Sequence, residues 1–286
     1  MPERKEYMPG VPCWVDTTQP DPEAAAEFYG GLFGWELEQV MPPESGAKYF
    51  MARIRGGDVG AISSQPSGAP PQAVWNTYVA VASADDAAAK VRDAGGQVMA
   101  EPFDVMDAGR MAVCTDPEGA MFAVWQAGRN TGASVVNEHG AVVFNDLNTR
   151  DVEGAKAFYG AVFGWETLSV GGGGAMWTLP GYAEFLERED PGLRERFVES
   201  GAPEGFGDVV ASLNPIGDDR PDTRPHWSVT FMVDDADAAA DAAQRLGGSV
   251  LVPPMDAPWV RLTVLADPAG ATFVASKFVP ENAKLA

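Results

Sequence analysis

"EFYGGLFGWELE", Glu27 to Glu38, returns as "AFYGAVFGWETL", Ala157 to Leu168, at an offset of 130 (157 − 27). Phe28, Tyr29, Leu32 and Phe33 fall at i, i+1, i+4 and i+5, one face of a helix. The small-residue run before them, "PEAAAE", favours a helix, with Asp21 as the N-cap and Pro22 at the first helical position, where a missing N–H costs little. Gly34 takes the left-handed conformation that ends a helix, and Trp35 begins an extended segment. The second copy has Asp151 as cap, then Phe158, Tyr159, Val162, Phe163, Gly164 and Trp165.

The duplication continues along the chain. "WNTYVAVASADDAAAKVRDAGG" from Trp75 matches "WSVTFMVDDADAAADAAQRLGG" from Trp227, and the "TDPEGAMFAVWQ" of Asp116 matches the "ADPAGATFVASK" of Asp267. The offset grows from 130 to 151–152, so the second half carries about 22 extra residues, around Pro180 to Asp208. This insert reads as two short helices divided at Pro191 and Gly192, with Leu193, Phe197 and Val198 as an apolar stripe. "VGGGGAM", Val170 to Met176, reads as a hairpin turn, since it lacks the Lys-Ser/Thr and the helix of a phosphate loop. Within each half the order strand, helix, three strands occurs twice. The extended runs are 35–40, 49–55 and 59–63 in one module and 97–100, 111–115 and 121–126 in the next. Short turns between those strands, among them Asp-Pro-x-Gly at Asp116 and Asp267, suit antiparallel hairpins. The expected fold class is α+β: four βαβββ modules forming two domains, 8–128 and 139–280, with the helical insert at 180–208 in the second.

The chain has 286 residues, 45% of them hydrophobic, enough for a sizeable core. No apolar run is long enough to span a bilayer and the N-terminus lacks a signal-peptide core, so a cytoplasmic protein is expected. A formal charge of −21 repels phosphate backbones and anionic lipid. Nucleic acid and membrane are therefore not expected as partners; a small-molecule ligand is, in a monomer or homodimer. Two cysteines and two histidines supply neither a disulfide framework nor a rich metal site.

The four modules, the FY…G…FGW helix ending and the Asp-Pro-x-Gly turns resemble the vicinal oxygen chelate superfamily, which includes glyoxalase I, extradiol dioxygenases and the fosfomycin and bleomycin resistance proteins. "MPERKEYMPGVPCWVD" and "DAGRMAVCTDPEGA" are similar to an actinobacterial tandem subgroup of glyoxalase-like proteins. The resemblance covers about residues 8–280 and implies two modules curled around one pocket, hence two pockets, which would account for the helix ending being written twice. It also implies a divalent metal held by His, Gln or Glu from the first and last strand of each module. Those positions fall at Trp14, near Ala61, at Asn76 and at Ala123, then at Phe144, near Val210, at Ser228 and at Val274. Indole, phenyl and alkyl groups have no usable lone pair for such an ion, and neutral Asn and Ser are weak ligands. No metal and no other cofactor is expected.

Strand residues two apart share a face. Asp16 therefore lies with Trp14, and Asp146 with Phe144. A carboxylate facing a semi-enclosed apolar pocket has a raised pKa and suits acid/base work. His226 lies two before Ser228 and is expected to pair with Asp146. Asp146, His226 and Asp16 are the expected catalytic residues, against the blander reading in which each bonds backbone or a neighbour at a strand end. Trp14, Asn76, Tyr78, Trp125, Phe144 and Ser228 are the expected ligand-binding set. Arg110 and Arg261 either neutralise an acidic ligand or form ion pairs. The expected function is metal-independent binding, sequestration or acid/base transformation of a small, largely apolar metabolite in secondary metabolism or resistance. The alternatives are a glyoxalase-type lyase or hydroxylase, and a non-catalytic scaffold with filled pockets. The insert is either a lid over His226 and Asp146 or packing between domains.

Overall fold

The computed structural model describes residues 3–66, 68, 72–170 and 174–285; the glycine turn at Gly171–Gly173 lies outside them. The first half contains β1 (Pro12–Gln19), α1 (Pro22–Phe33), β2 (Glu36–Gln39), β3 (Tyr49–Ile54), β4 (Gly57–Ser64), β5 (Val74–Ala80), α2 (Ala84–Asp93), β6 (Gln97–Val105), β7 (Gly109–Thr115) and β8 (Met121–Ala127). The second contains β9 (Val142–Thr149), α3 (Val152–Phe163), β10 (Glu166–Val170), β11 (Gly174–Thr178), α4 (Tyr182–Glu189), α5 (Leu193–Glu199), β12 (Val209–Pro215), β13 (His226–Met232), α6 (Ala236–Arg245), β14 (Ser249–Ala257), β15 (Val260–Ala266) and β16 (Thr272–Phe278). The α+β class and four βαβββ modules are as expected, and α4 and α5 interrupt the third module between its third and fourth strands. Among the described residues no helix is long and apolar enough to cross a membrane.

Each half forms one eight-stranded sheet, β2-β3-β4-β1-β5-β8-β7-β6 and β10-β11-β12-β9-β13-β16-β15-β14. Helices cover one face of each sheet. β13 shows the alternation that results: Trp227, Val229 and Phe231 point to the helices and are buried, while His226, Ser228 and Thr230 point to the other face. The Asp caps form as read, with Asp21 accepting from Ala24 N–H at 3.0 Å and Asp151 from Gly154 N–H at 2.9 Å. Gly34 and Gly164 close the helices at φ 71° and 75°.

The helical faces of the two halves pack on each other. α1 lies on α6 and α2 on α3. One core joins module 1 to module 4, and another joins module 2 to module 3. This gives the repeated motif a physical reason other than the pocket count. Tyr29 O–H donates to Asp267 at 3.0 Å, and Tyr159 O–H donates to Asp116 at 3.1 Å. Trp35 Nε1 donates to the Gly140 carbonyl at 2.8 Å, and Trp165 Nε1 to that of Gly10 at 2.7 Å. Each FY…FGW segment thus docks on the Asp-Pro-x-Gly turn and strand entrance of the other half. The Gly-Gly pairs after α2 and α6 serve the same contact: a Cβ on Gly96 would lie 2.7 Å from the Phe158 ring, and one on Gly248 2.8 Å from Phe28.

The insert joins this packing. Tyr182, Phe185, Leu186 and Leu193 are buried in the core between modules 2 and 3, and Arg4 stands 5.9 Å over the Tyr182 ring. The expected apolar stripe is only partly realised: Leu193 and Phe197 face that core, but Val198 points to solvent at 77% exposure. Nor does the insert cover His226. It leaves and re-enters the sheet at the Thr178–Val209 end, whereas His226 pairs with Asn148 at the opposite end.

Candidate functional site

The sheet faces turned away from the helices are the candidate sites, and the registers make them directly comparable. In the first half Asp16 lies beside Ala61 on β4 and Asn76 on β5, and Trp14 lies beside Tyr78, itself next to Ala123 on β8. In the second, Asp146 lies beside Ser212 and Ser228, and Phe144 lies beside Thr230, next to Val274.

The first face brings together the residues expected there and packs them against each other. Asp16, 3% exposed, accepts from Asn76 Nδ2 at 2.8 Å, Tyr78 O–H at 2.8 Å and Tyr49 O–H at 3.2 Å. Trp14 Nε1 donates to Tyr49 at 3.0 Å, and Trp125 meets Tyr78 edge-on with centroids 6.4 Å apart. Trp14 and Trp125 are buried, and Tyr49, Met51, Tyr78, Val105 and Met111 complete the cluster. Burial raises the Asp16 pKa, and the three donors oppose that rise. Burial and the Asp16 charge together hold the Tyr49 and Tyr78 hydroxyls protonated well above their ordinary range.

The second face has the same carboxylate in a different setting. Asp146 accepts from Thr230 Oγ1 at 2.6 Å and from Ser212 Oγ, neither of which was singled out from the sequence. Asn148 Nδ2 donates to Ser228 Oγ at 3.0 Å. Phe144, Ser212, Ser228 and Val274 are half-buried. The expected imidazole–carboxylate pair does not form. His226 shares this face but sits at its far end, with Nδ1 2.8 Å from the Arg224 carbonyl, while the hydroxyls of Ser212 and Thr230 take the carboxylate. Nor do the arginines reach the aspartates. Arg110 pairs with Asp85 and Asp104, and Arg261 with Asp237 and Asp256; Asp85 and Asp237 lie on helices, which places both arginines on the helical side.

Burial raises the Asp146 pKa, with Ser212 and Thr230 opposing it. The folded protein therefore binds this proton more readily than the unfolded chain, so the contribution is fully present below the unfolded pKa, about 3.9, and is lost as pH rises through the raised folded value. Asp146→Asn is expected to flatten the fall of melting temperature as pH rises from about 3.9 through the raised folded value. An unchanged pH slope in the variant would assign the fall to other groups.

The metal positions implied by the resemblance carry Trp14, Asn76 and Ala123, with Ala61 nearby, in the first half and Phe144, Ser228 and Val274, with Val210 nearby, in the second. The β11–β12 register shifts between Trp177 and Thr178, leaving Val210 unpaired and packed in the helical core, so Ser212 is the residue of β12 that belongs beside Asp146. Among the described residues no group of three or more His, Cys, Asp or Glu could hold a metal ion. The residues present do not fit such an ion.

The profile of the Glyoxalase/Bleomycin resistance protein/Dioxygenase superfamily matches residues 14–124 and 140–274. The chain is 40% identical, over 99% of its length and 100% of the relative's, to "Putative glyoxylase CFP32" of Mycobacterium tuberculosis (strain CDC 1551 / Oshkosh). It is 36% identical, over 93% of each chain, to "Anthracycline biosynthesis protein DnrV" of Streptomyces peucetius. Among solved structures it is similar in fold to the Mn(II)-bound glyoxalase of Novosphingobium aromaticivorans, with TM-score 0.60 and 14% identity over 94% of this chain and 82% of that one.

Proposed function

The chain belongs to the Glyoxalase/Bleomycin resistance protein/Dioxygenase superfamily, and on that premise we propose that it binds an uncharged, planar, largely apolar metabolite on the second sheet face without a metal ion. The observation that carries this reading is the change in side-chain size between equivalent positions. By register, Trp14 corresponds to Phe144, Tyr49 to Gly174, Asn76 to Ser228, Tyr78 to Thr230 and Trp125 to Ser276. Two tyrosines and a tryptophan give way to glycine, threonine and serine. At paired strand positions of this face the changes in the other sense, Ala61 to Ser212, Ala80 to Met232 and Ala123 to Val274, are smaller. The same backbone that is filled with aromatic rings in the first half thus has room in the second, with an apolar wall at Phe144 and hydroxyls around Asp146. An apolar trough with few convergent polar groups suits a ligand of this kind.

Two relatives are named for anthracycline biosynthesis, and anthracyclines are planar fused-ring compounds, which supports the ligand class and a role in secondary metabolism. If the ligand is transformed, Asp146 is the group placed to move a proton, held by Ser212 and Thr230. Elemental analysis of the purified protein is expected to find no stoichiometric Zn, Ni, Fe or Mn. Binding of 1,8-dihydroxyanthraquinone, read by its own absorbance, should be insensitive to a chelator. About one metal equivalent per half, lost together with binding on chelation, would defeat the metal-independent reading.

A further inference from the structure

We infer that Trp259 is a specificity-determining residue of the second trough: its indole closes one end and stacks on the planar ring of the bound compound. The inference rests on the reading of the second face as the ligand site. Pro258 and Trp259 form the turn between β14 and β15, where Ala257 pairs with Val260. Trp259 has φ +68°. The second central position of such a turn favours glycine or asparagine, because a Cβ is strained at positive φ. A bulky aromatic ring at that position is held by its surroundings, and strain of this kind concentrates at binding sites and clamps.

What holds the ring is the end of the insert. Val279 N–H donates to the Trp259 carbonyl at 2.7 Å. A Cβ on Gly201 would lie 3.4 Å from Cη2 of the indole, and one on Gly205 would lie 3.7 Å from Cδ1 of Leu168. Leu168 is on β10, in register through Met176 and Ser212 with Asp146, so it belongs to the face that carries the carboxylate. β10 and β14 are the two outer strands of the sheet. Laid flat, eight strands would hold those edges about 33 Å apart, yet the four steps from residue 201 to residue 205 span at most about 14 Å. The sheet therefore curls, and residues 201–205 lie across one end of the trough from Leu168 to Trp259. The insert thus does two things: α4 packs in the core, and the segment after α5 ties the trough's edges together with the indole beneath it.

The equivalent turn of the first half also holds a non-glycine residue at positive φ, Met106 at +48°, but that side chain is 65% exposed and carries no aromatic plane. The counterpart of Trp259 is Ala108 (259 − 151), and there the interdomain linker closes the end, with Asn130 N–H donating to the Ala108 carbonyl at 3.0 Å and the Asn130 carbonyl accepting from Trp125 Nε1 at 2.9 Å. Among the described residues the second half alone has an aromatic ring, half-buried, at this turn. The chemistry this selects is an uncharged planar ring with hydroxyl or carbonyl substituents: Phe144 and Trp259 offer faces, Ser212, Ser228 and Thr230 offer hydroxyls, and a molecule of charge −21 repels an anion.

The test is titration of 1,8-dihydroxyanthraquinone into the wild type, Trp259→Gly and Trp259→Phe, with a thermal melt of each. Trp259→Gly removes the strain, so its melting temperature should match or exceed that of the wild type while the probe binds about tenfold more weakly. Trp259→Phe should keep most of the affinity. Undiminished binding by Trp259→Gly overturns the inference, and so does a loss of binding that comes with a clear fall in melting temperature, which would make the indole a packing element. Binding by the wild type that disappears in Ser276→Trp, but not in Trp259→Gly, would leave the second trough as the site and sink only the role of Trp259. A wild type that ignores the probe, or binds it unchanged in Ser276→Trp, would remove the second-trough reading and this inference with it.

Discussion

Asp267→Ala is expected to destabilise the protein by roughly 3–5 kcal/mol, the sum of orphaning two buried donors and unpinning a turn. The carboxylate is 3% exposed and serves both halves at once. From its own turn it accepts the amides of Ala269 at 3.0 Å and Ala271 at 2.8 Å. From the other half it accepts Gln19 Nε2 at 2.6 Å and the Tyr29 hydroxyl at 3.0 Å, and Tyr29 in turn accepts from Trp75 Nε1 at 3.0 Å. Alanine leaves the tyrosine hydroxyl without this acceptor and one of the two Gln19 Nε2 hydrogens unpaired, the other keeping Thr17 Oγ1 at 2.7 Å, in a space water does not reach. It also weakens the Tyr29 position, around which Phe33, Trp35, Trp75 and Phe273 pack. Asp267→Asn, which keeps one acceptor oxygen, should cost less. Asp116→Ala, breaking the matching bond to Tyr159, should add to it nearly independently. Urea unfolding followed by tryptophan emission checks this. A loss below about 1 kcal/mol for Asp267→Ala would show that the cross-half bond is incidental.

That bond also marks the limit of what the sequence discloses. The helix ends were legible because a cap acts within three or four residues: Asp21, Pro22 and Gly34 carry their meaning locally. The modules were legible because they recur. The partner of Tyr29 was not, since Asp267 lies 238 residues away and both belong to motifs that also make local sense. At the site, the two-residue rule placed Trp14, Asp16, Asn76 and Tyr78 on one face correctly, and applied once more to Ser228 it would have reached Thr230. It put His226 on the right face, but it could not reveal that the imidazole turns to a carbonyl at the strand end. Tyr49 and Gly174 escaped for another reason. Their equivalence depends on the β3–β4 and β11–β12 registers, and the shorter connection between β10 and β11 changes the sequence offset there from 130 to 125 (174 − 49). Trp259 left a readable trace, a Pro-Trp pair where a tight turn calls for glycine.

Writing the first half's side chains into the second should close the trough without harming the fold. Thr230→Tyr with Ser276→Trp reproduces the Tyr78–Trp125 pair on the same strand positions, where the first half already accommodates two rings with centroids 6.4 Å apart. The added rings occupy the space over Asp146, so binding of 1,8-dihydroxyanthraquinone should fall at least about a hundredfold, near 2.7 kcal/mol, with little change in melting temperature. The reverse exchange, Tyr78→Thr with Trp125→Ser, should behave in the opposite way. It hollows a packed cluster and strips Asp16 of a donor, costing roughly 3–5 kcal/mol of stability, while probe binding in the second half persists. The crossover is what distinguishes a filled face from an open one: side chains that touch each other hold the fold, and side chains that touch a ligand hold the ligand. Binding that survives the second-half graft but vanishes with the first-half exchange would move the ligand to Trp14, Asn76, Tyr78 and Trp125, and the cluster around Asp16 would then be an aromatic cage that opens on demand.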